Sequence, residues 1–293
     1  MKRISLFVLT IIVLLNTGSI AHANFTTMDY PGAVSTSIIG ADGENLVGFY
    51  EDSSGDTYSF FYDGSTWATL NYPGVSETYF TGIDGDNIAG FYYDGSYHGF
   101  WYDGSSYTVL NYPGAVSTRT YGIDGDNIVG SYYDGIDNRG FLYNISTSIW
   151  IPIDYFGATD TIAYGVDGSN IVGSYNDGSD HGFYNYFTLD NPSGDFTVIM
   201  DIDGYNLVGY YGDSSMSYIY GFWYDGTNWI TLDYPDSLYT IVYGIDGNTI
   251  VGSYYDENSI QHGFVYTIPA PGAILLASIG LAGINALRKR KIL

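Results

Sequence analysis

Short segments in which apolar and polar residues alternate fill the chain from residue 25 to residue 267, and turns rich in Gly, Asp and Ser separate them. Alternation with a period of two predicts β-strands with one buried side. In one stretch such segments cover residues 120–123, 127–133, 140–143 and 150–155. Four short antiparallel strands in about forty residues are typical of one blade of a β-propeller.

This unit occurs six times. Each copy has Asp-Gly, a short polar link, and then an apolar pair that ends in Gly, and successive copies begin 36 to 43 residues apart. The copies begin at Asp42, Asp84, Asp124, Asp167, Asp203 and Asp246. The fourth copy is shortened between Phe183 and Phe187, at a strand junction where a blade can lose residues without losing a strand.

The two ends of the repeat array complement each other. The last unit stops after residues 262–266 and lacks a fourth strand, whereas residues 25–31 match a fourth strand that precedes the first unit. We therefore predict an all-β fold, a six-bladed β-propeller of four-stranded blades over residues 24–267, closed by the N-terminal strand. Closure removes the exposed sheet edges that an open array presents. An open β-solenoid is the alternative.

The segments outside the repeats have a different character. Residues 1–23 combine a basic start, an apolar run and a final Ala-His-Ala, the pattern of a secretory signal peptide that is cleaved before Asn24. Residues 272–287 are uncharged and precede four basic residues. They predict a C-terminal hydrophobic transmembrane helix whose basic tail stays in the cytoplasm, so that the repeats lie outside the cell.

This C-terminal segment, residues 268–293, resembles the PEP-CTERM sorting signal of bacterial surface proteins, in which a Pro-Glu-Pro-like motif precedes a short helix and an Arg-rich tail. The matching residues are Pro269, Ala270 and Pro271, without the acidic middle residue, and the tail residues Arg288, Lys289, Arg290 and Lys291. The resemblance implies processing by an exosortase-type enzyme. The protein is then membrane-anchored until it is processed, and afterwards belongs to the cell surface or extracellular matrix. A permanent anchor is the alternative.

The repeats resemble the HAF-type repeats of predicted bacterial extracellular proteins. The segments that carry this resemblance are Gly122-Ile123-Asp124, Asn127-Ile128-Val129-Gly130 and His98-Gly99-Phe100. The resemblance implies a location at the cell surface and no particular activity.

Composition and charge narrow the choice of partners. The 33 Tyr, 15 Phe and 39 Gly agree with a β-rich fold, and the absence of Cys excludes disulfides and thiolate chemistry. Between the two ends only Arg119 and Arg139 are basic, whereas all 32 acidic residues lie there, so that this body has a formal net charge of −30. Such a body repels nucleic acid and anionic lipid, so we expect membrane contact only through the C-terminal helix.

Each Asp-Gly pair has two interpretations, a metal-binding loop or the tip of a β-hairpin. The residue after Asp-Gly varies among Glu, Asp, Ser, Tyr and Asn, so no copy offers the several oxygen ligands that a dedicated calcium site requires. Asp-Gly suits hairpin turns, and we predict hairpins. Weak, diffuse calcium binding remains open at Asp84, Asp86, Asp124 and Asp126, and we expect no other cofactor.

Histidine and aromatic residues also recur in register. His98, His181 and His262 each precede Gly-Phe, and the other units have Arg139, Tyr220 and Ser59 in the same place. Equivalent positions lie one blade apart, so a shared zinc site is not expected. We interpret the aromatic rows as packing between sheets, with carbohydrate-stacking platforms as the alternative. The Tyr-Pro corners at Tyr72 and Tyr112 are expected to be exposed.

No residue is assigned a catalytic role. The predicted function is that of an exported, acidic structural or binding module at the cell surface or in the matrix, with extracellular polysaccharide as the expected partner. The alternative is an extracellular glycan-acting hydrolase on the same scaffold, which would need a pair of closely spaced carboxylates.

Overall fold

The computed structural model describes residues 24–269, and its strands form six separate four-stranded antiparallel sheets. The predicted all-β, six-bladed propeller with four-stranded blades is confirmed. The predicted signal peptide and the predicted C-terminal helix, with all of the sorting signal beyond Pro269, lie outside the described residues. Within residues 24–269 no helix is long and apolar enough to cross a membrane.

Each blade is a meander in which consecutive strands pair. Blade 1 contains β2 (Ser35–Asp42), β3 (Asn45–Glu51), β4 (Thr57–Tyr62) and β5 (Trp67–Thr69), and blade 2 contains β6 (Glu77–Asp84), β7 (Asn87–Tyr93), β8 (Tyr97–Tyr102) and β9 (Tyr107–Leu110). Blade 3 contains β10 (Ser117–Asp124), β11 (Asn127–Tyr133), β12 (Asn138–Asn144) and β13 (Ile149–Ile153). Blade 4 contains β14 (Asp160–Asp167), β15 (Asn170–Asn176), β16 (Asp180–Tyr184) and β17 (Phe187–Thr188). Blade 5 contains β18 (Phe196–Asp203), β19 (Asn206–Gly212), β20 (Ile219–Tyr224) and β21 (Trp229–Leu232). Blade 6 contains β22 (Tyr239–Asp246), β23 (Thr249–Tyr255), β24 (Gln261–Thr267) and, at its outer edge, β1 (Phe25–Thr27).

The first strand of every blade is the innermost, since residues from all six of these strands line one axial channel. The antiparallel order places the Asp-Gly turns between first and second strands on one side of the ring, which we call the turn face. The connections between second and third strands, and those between blades, lie on the opposite side, the loop face. The channel therefore joins two faces of different composition.

The core of each blade is built on a buried phenylalanine of the third strand. Six such residues are at most 1% exposed, namely Phe60, Phe100, Phe141, Phe183, Phe222 and Phe264. The facing glycine of the second strand leaves room for the ring. At Gly130 a Cβ atom would lie 2.6 Å from the Phe141 ring, so a larger residue there would displace it. The second-strand glycine and the third-strand phenylalanine of the repeat thus pack as a pair.

Tyrosine pairs join neighbouring blades. Tyr112, in the connection from blade 2 to blade 3, stacks on Tyr132 of β11 with ring centroids 3.7 Å apart and ring planes 3° apart. Tyr72 stacks on Tyr92 in the same way at 4.1 Å. Both Tyr72 and Tyr112 are half-buried, so the expectation that these corners are exposed is wrong for the rings, which gain more from stacking than from solvent. Only the following Pro and Gly are exposed.

The ring is closed by β1, which pairs antiparallel with β24 as the outer strand of blade 6. Phe25 packs against Tyr234, Phe264 and Tyr266 with centroid separations of 4.9 to 5.2 Å. The hydroxyl groups of Thr27 and Tyr234 share a hydrogen bond of 2.6 Å. The N-terminal strand therefore completes the sheet that the last unit leaves one strand short, as predicted.

Loss of this strand should weaken the whole ring. Deleting residues 25–30 removes the β1–β24 ladder and the burial of Phe25. We expect the free energy of unfolding to fall by several kcal/mol, and the melting temperature to fall with it. The single change Phe25→Ala should cost about 2 kcal/mol. The matched control is Phe187→Ala, because Phe187 lies on the outer strand of blade 4 and is 74% exposed.

The measurement is thermal and urea denaturation followed by circular dichroism. A deletion variant that melts at the wild-type temperature would contradict closure by β1. Equal effects of Phe25→Ala and Phe187→Ala would show that the Phe25 ring contributes no more than an exposed aromatic residue.

Candidate functional site

The channel along the propeller axis is the largest feature shared by all blades. Its central part is a cavity of about 190 Å³ that residues from every first strand line. A second space of about 120 Å³ lies beside it at the turn face. Since first strands run from the loop face to the turn face, the residue types along each strand set the chemistry at each depth of the channel.

A ring of six aspartates surrounds the channel at the turn face, and each carboxylate binds the backbone of a neighbouring blade. The N–H of Gly125 in blade 3 donates to Oδ2 of Asp84 in blade 2 at 2.7 Å, and the N–H of Gly168 donates to Asp124 at the same distance. The other four pairs have the same geometry at 2.7 to 2.9 Å, namely Gly43–Asp246, Gly85–Asp42, Gly204–Asp167 and Gly247–Asp203. We call these six residues the aspartate ring.

The turn geometry explains both residues of the Asp-Gly repeat. Each turn has two central residues, and the glycine at the first of them has φ between 53° and 60°. A positive φ at that position alone is typical of a type II′ turn, which favours glycine. The aspartate is required for the contact between blades, since its carboxylate accepts an N–H that would otherwise need water. The predicted hairpins are present, but the Asp acts across blades instead of within its own turn.

The predicted calcium residues divide into two classes. Asp84 and Asp124 belong to the aspartate ring and use one oxygen as an acceptor, whereas Asp86 and Asp126 are exposed in the turns. Within residues 24–269 no three His, Cys, Asp or Glu residues form a group that could hold a metal ion. Diffuse calcium binding therefore stays a proposal, and it is taken up below.

The contribution of the aspartate ring to stability can be measured by comparing two substitutions in the same turn. Asp84→Ala removes the acceptor for Gly125 N–H, and we expect a loss of about 1 kcal/mol, since hydrogen bonds to charged groups contribute about that much at partly exposed sites. Asp86→Ala removes the same charge from the same turn without breaking this bond, so it should be neutral or slightly stabilising. The measurement is the free energy of unfolding of both variants, obtained by urea denaturation. Equal losses in Asp84→Ala and Asp86→Ala would contradict a structural role for the aspartate ring.

One residue breaks the sixfold pattern inside the channel. Five first strands have a glycine before the last apolar residue, at Gly40, Gly82, Gly122, Gly165 and Gly244, whereas blade 5 has Asp201. Its carboxylate accepts hydrogen bonds from the N–H of Ile202 and from the N–H of Ile245 in blade 6, both at 2.9 Å. Asp201 lines both parts of the channel and lies next to the aspartate ring.

The surroundings of Asp201 favour its neutral form. Burial raises the pKa of the carboxyl to about 7, and the nearby charges of Asp203 and Asp246 add to the rise, although the two backbone N–H groups oppose it. Burial dominates because the carboxylate loses its hydration inside the channel. Asp201 is thus a carboxyl group that exchanges its proton near neutral pH, at the axis of the molecule.

This raised pKa predicts a specific pH dependence of stability. Between about pH 4 and pH 7 the folded protein keeps the proton of Asp201 that the unfolded chain has released. Unfolding therefore becomes easier as the pH rises through this window, and this contribution is constant above it. The variants Asp201→Asn and Asp201→Gly lack this pH-dependent contribution to stability. The melting temperature of each variant should therefore rise relative to that of wild type as the pH increases from 4 to 8. Profiles that stay parallel would mean that the Asp201 carboxyl is not desolvated.

Toward the loop face, aromatic rings touch in sequence through blades 1 to 4, and four of them line the cavity, namely Phe49, Phe91, Tyr121 and Tyr164. Phe49 contacts Tyr79 at 5.2 Å, and Tyr79 stacks on Phe91 at 4.9 Å. Further contacts of 5.0 to 6.1 Å connect Phe91 with Tyr97 and Tyr121, and Tyr121 with Tyr164. We call the six residues Phe49, Tyr79, Phe91, Tyr97, Tyr121 and Tyr164 the aromatic wall. All six are half-buried, so part of each ring remains accessible.

Three tyrosines of this region, Tyr79, Tyr164 and Tyr210, keep their protons at neutral pH. Burial raises the pKa of Tyr79 to about 12, helped by the charge of Glu77, and it raises the pKa of Tyr164 well above its ordinary value. Tyr210, across the channel in blade 5, also has a pKa raised to about 12 by burial. The channel near the loop face therefore combines ring surfaces with neutral hydroxyl donors.

The histidines form separate contacts at the rim of the propeller. His181 lies 2.7 Å from Asp190 and 3.3 Å from Asp177, and the hydrogen bond with Asp190 raises its pKa. His98 and His262 have similar partners within their own blades or connections. Each of the three histidines thus has its own set of partners.

The strand register changes one assignment in this series. His98 pairs with Tyr92, and the equivalent partner of Tyr50 in blade 1 is Tyr58. Ser59 instead occupies the position of Gly99, so placing Ser59 in the histidine series is wrong by one residue. A serine fits at the glycine position because its Oγ donates to the carbonyl of Thr78 at 2.7 Å.

Comparison with known proteins identifies the fold and no family. No protein-family model matches the chain, and a search of curated proteins gave no match. Among solved structures, the β-propeller domain of the Trilobed protease from Pyrococcus furiosus superposes with a TM-score of 0.54 at 10% identity, over 81% of this chain and 94% of that chain. That domain is described as having an open velcro topology. In this chain β1 pairs with β24.

Two longer proteins contain similar propellers. TolB from Acinetobacter baumannii gives a TM-score of 0.53 at 16% identity, over 81% of this chain and 65% of that chain. A sialidase from Trypanosoma rangeli in complex with sialic acid gives 0.50 at 9% identity, over 90% of this chain and 60% of that chain. The chain thus spans less than two thirds of these two proteins. At such low identity the similarity establishes the β-propeller fold alone.

Proposed function

We propose that the protein is an exported binding module of the cell surface or extracellular matrix that binds polysaccharide at the loop-face end of its channel. The observation that carries this proposal is the aromatic wall. Sugar rings stack on aromatic faces, and tyrosine hydroxyls donate hydrogen bonds to sugar oxygens. The cavity lining is asymmetric, since Tyr121, Tyr164 and Tyr243 stand where the other three blades have Ile39, Thr81 and Met200, and a site that orients a ligand requires such asymmetry.

Three tyrosine positions support a role beyond packing. Tyr121, Tyr164 and Tyr243 occupy the place in the first strand that Ile39, Thr81 and Met200 fill in the other blades. Because the fold accepts aliphatic and small residues there, it does not itself require tyrosine at this depth. Binding gives a reason for these rings to line an accessible cavity.

The position of the chain ends supports the proposed orientation at a membrane. Thr267 pairs with Thr249, directly after the blade 6 turn, and the N–H of Ile268 donates to the carbonyl of Asn248 at 2.8 Å. The last described residues, Ile268 and Pro269, therefore lie at the turn face. If the sorting signal anchors the chain before an exosortase-type enzyme processes it, we propose that the loop face with the aromatic wall points away from the membrane.

Calcium is proposed as a weak, diffuse ligand of the turn face. Two adjacent turns of blades 2 and 3 offer four carboxylates whose oxygens do not form a closed site, namely those of Asp84, Asp86, Asp124 and Asp126. Millimolar calcium would stabilise such a surface by a few tenths of a kcal/mol for each weak site. Monovalent salt should produce part of the same effect by screening.

A second candidate function is glycan hydrolysis, which Asp201 favours. Its carboxyl lies in the same cavity as Tyr121 and Tyr164, and a pKa of about 7 suits a group that donates a proton at neutral pH. A glycosidase would also need a second carboxylate as base or nucleophile. The aspartate ring supplies the nearest carboxylates, each already bonded to a backbone N–H.

A glycan array probed with the full chain in mild detergent tests the proposed function, first with calcium and then with chelator. We expect a restricted set of polysaccharide ligands whose binding persists in chelator. Tyr121→Thr, which copies Thr81 of blade 2, should weaken binding about tenfold, roughly the worth of one stacked ring. Tyr205→Thr is the control, because Tyr205 is 85% exposed on the turn face.

The outcomes separate the candidates. No bound glycan, or equal loss in Tyr121→Thr and Tyr205→Thr, would contradict binding at the aromatic wall. Shortening of a bound glycan during incubation, abolished by Asp201→Asn, would favour the hydrolase.

A further inference from the structure

Arg119 stands within the aromatic wall. It lies on β10, and its guanidinium carbon is 3.8 Å from the centroid of the Tyr97 ring and 5.8 Å from that of Phe91. A guanidinium that lies over a ring face in this way is held by cation–π attraction, while the N–H groups at its edge remain available. Arg119 is half-buried, so solvent reaches part of the group.

These N–H groups have no protein acceptor among the described residues. Within residues 24–269 the guanidinium of Arg119 lies over two rings, donates no hydrogen bond to a protein acceptor and forms no ion pair with a carboxylate. Arg139 is the contrasting case, because Asp134, Asp137 and Asp154 lie 2.9 to 3.6 Å from its nitrogens. In a body with 32 acidic residues, an arginine without a carboxylate partner is unexpected unless its place excludes them.

The position also breaks the repeat. In the strand register Arg119 pairs with Ser131, and the equivalent residues of the other blades are Ser37, Tyr79, Ile162, Val198 and Ile241. No other blade has a charge there, so a blade does not need one to fold. The residue opposite Arg119 is the small Ser131, where blades 1 and 2 have Phe49 and Phe91.

We propose that Arg119 binds the carboxylate of an acidic sugar, so that the polysaccharide of the proposed function is one that contains uronic acid. This inference rests on the proposed function. The planar guanidinium matches a carboxylate with two parallel hydrogen bonds, and the neighbouring Tyr121, which lines the cavity, offers its ring to the sugar that carries the carboxylate. An acidic peptide supplies the same carboxylate, but it does not use the stacking surfaces or the tyrosine hydroxyls.

The net charge of the body makes this recognition local. A formal charge of −30 repels a polyanion at long range, so general electrostatic attraction cannot produce binding. Screening by salt weakens this repulsion and the Arg119–carboxylate contact together. Binding should therefore depend on salt far less steeply than binding of a polyanion by a basic surface.

The test compares two forms of one ligand by isothermal titration calorimetry with the full chain. The first is an oligosaccharide that contains uronic acid, and the second is its carboxyl-reduced form, in which each carboxylate has become a neutral hydroxymethyl group. We expect wild type to bind the first at least about tenfold more tightly, as for a hydrogen bond to a charged group. Arg119→Gln should lower the affinity for the uronate form to that for the reduced form and leave the latter unchanged.

Two further variants keep the test decisive. Arg119→Lys retains the charge without the planar pair of donors and should bind the uronate form with intermediate affinity. Arg139→Gln removes the other cation of the described chain at the rim and should leave both affinities unchanged, provided that its melting curve shows a folded protein. The wild-type comparison of the two ligand forms holds even if Arg119→Gln fails to fold.

Each result has one meaning. Equal affinity of wild type for the two forms would overturn the role of Arg119 and leave polysaccharide binding intact. Binding of neither form would overturn both proposals. Tighter binding of oligoglutamate than of the uronate form would assign the site to an acidic peptide and overturn the proposal of a sugar.

Discussion

Each blade holds its neighbour through a hydrogen bond from a turn amide to an aspartate carboxylate, and this contact is repeated around the whole ring. It fixes the distance between adjacent first strands at the turn face, and with it the width of the channel. Close packing of glycines at the next level supports the same spacing, since a Cβ atom on Gly82 would lie 2.6 Å from the carbonyl oxygen of Tyr121. The features of the channel, including Asp201 and the aromatic wall, are placed by this spacing.

The large-scale architecture could be predicted from the sequence because each repeat contains its own hydrophobic pattern and turns. The count of strands at the two ends also identified closure by the N-terminal strand. The partner of each Asp-Gly carboxylate could not be predicted, because it lies about one repeat away and depends on the arrangement of blades around the axis. The rings of Tyr72 and Tyr112 were misjudged for a related reason: the tyrosines on which they stack belong to the next blade.

The residues that distinguish one blade from another were harder to interpret than those that repeat. Asp201 replaces a glycine that the other five copies share, and that departure is visible in the aligned repeats. Its burial and raised pKa depend on the cavity and on the charges of Asp203 and Asp246, which only the assembled ring brings together. Arg119 was recognisable as a rare cation, but its place over Tyr97 was not. The repeated residues thus explain the scaffold, and the departures from the repeat at Asp201 and Arg119 lie at or beside the channel, where the proposed site is located.

The closure of blade 6 by β1, which pairs with β24, has a consequence for how such a protein evolves. Among the described residues the first strand, β1, is the outer strand of blade 6 and the last, β24, is that blade's third strand, so the repeat unit of the sequence and the blade of the structure are offset by one strand. Recombination that duplicates or removes an internal unit would therefore alter the number of blades and leave the pairing of Phe25 with Tyr266 unchanged. The β1–β24 pairing therefore sets no limit on the number of blades. The axis imposes the limit, because a ring of another size must still bring each turn amide within hydrogen-bonding distance of its neighbour's carboxylate.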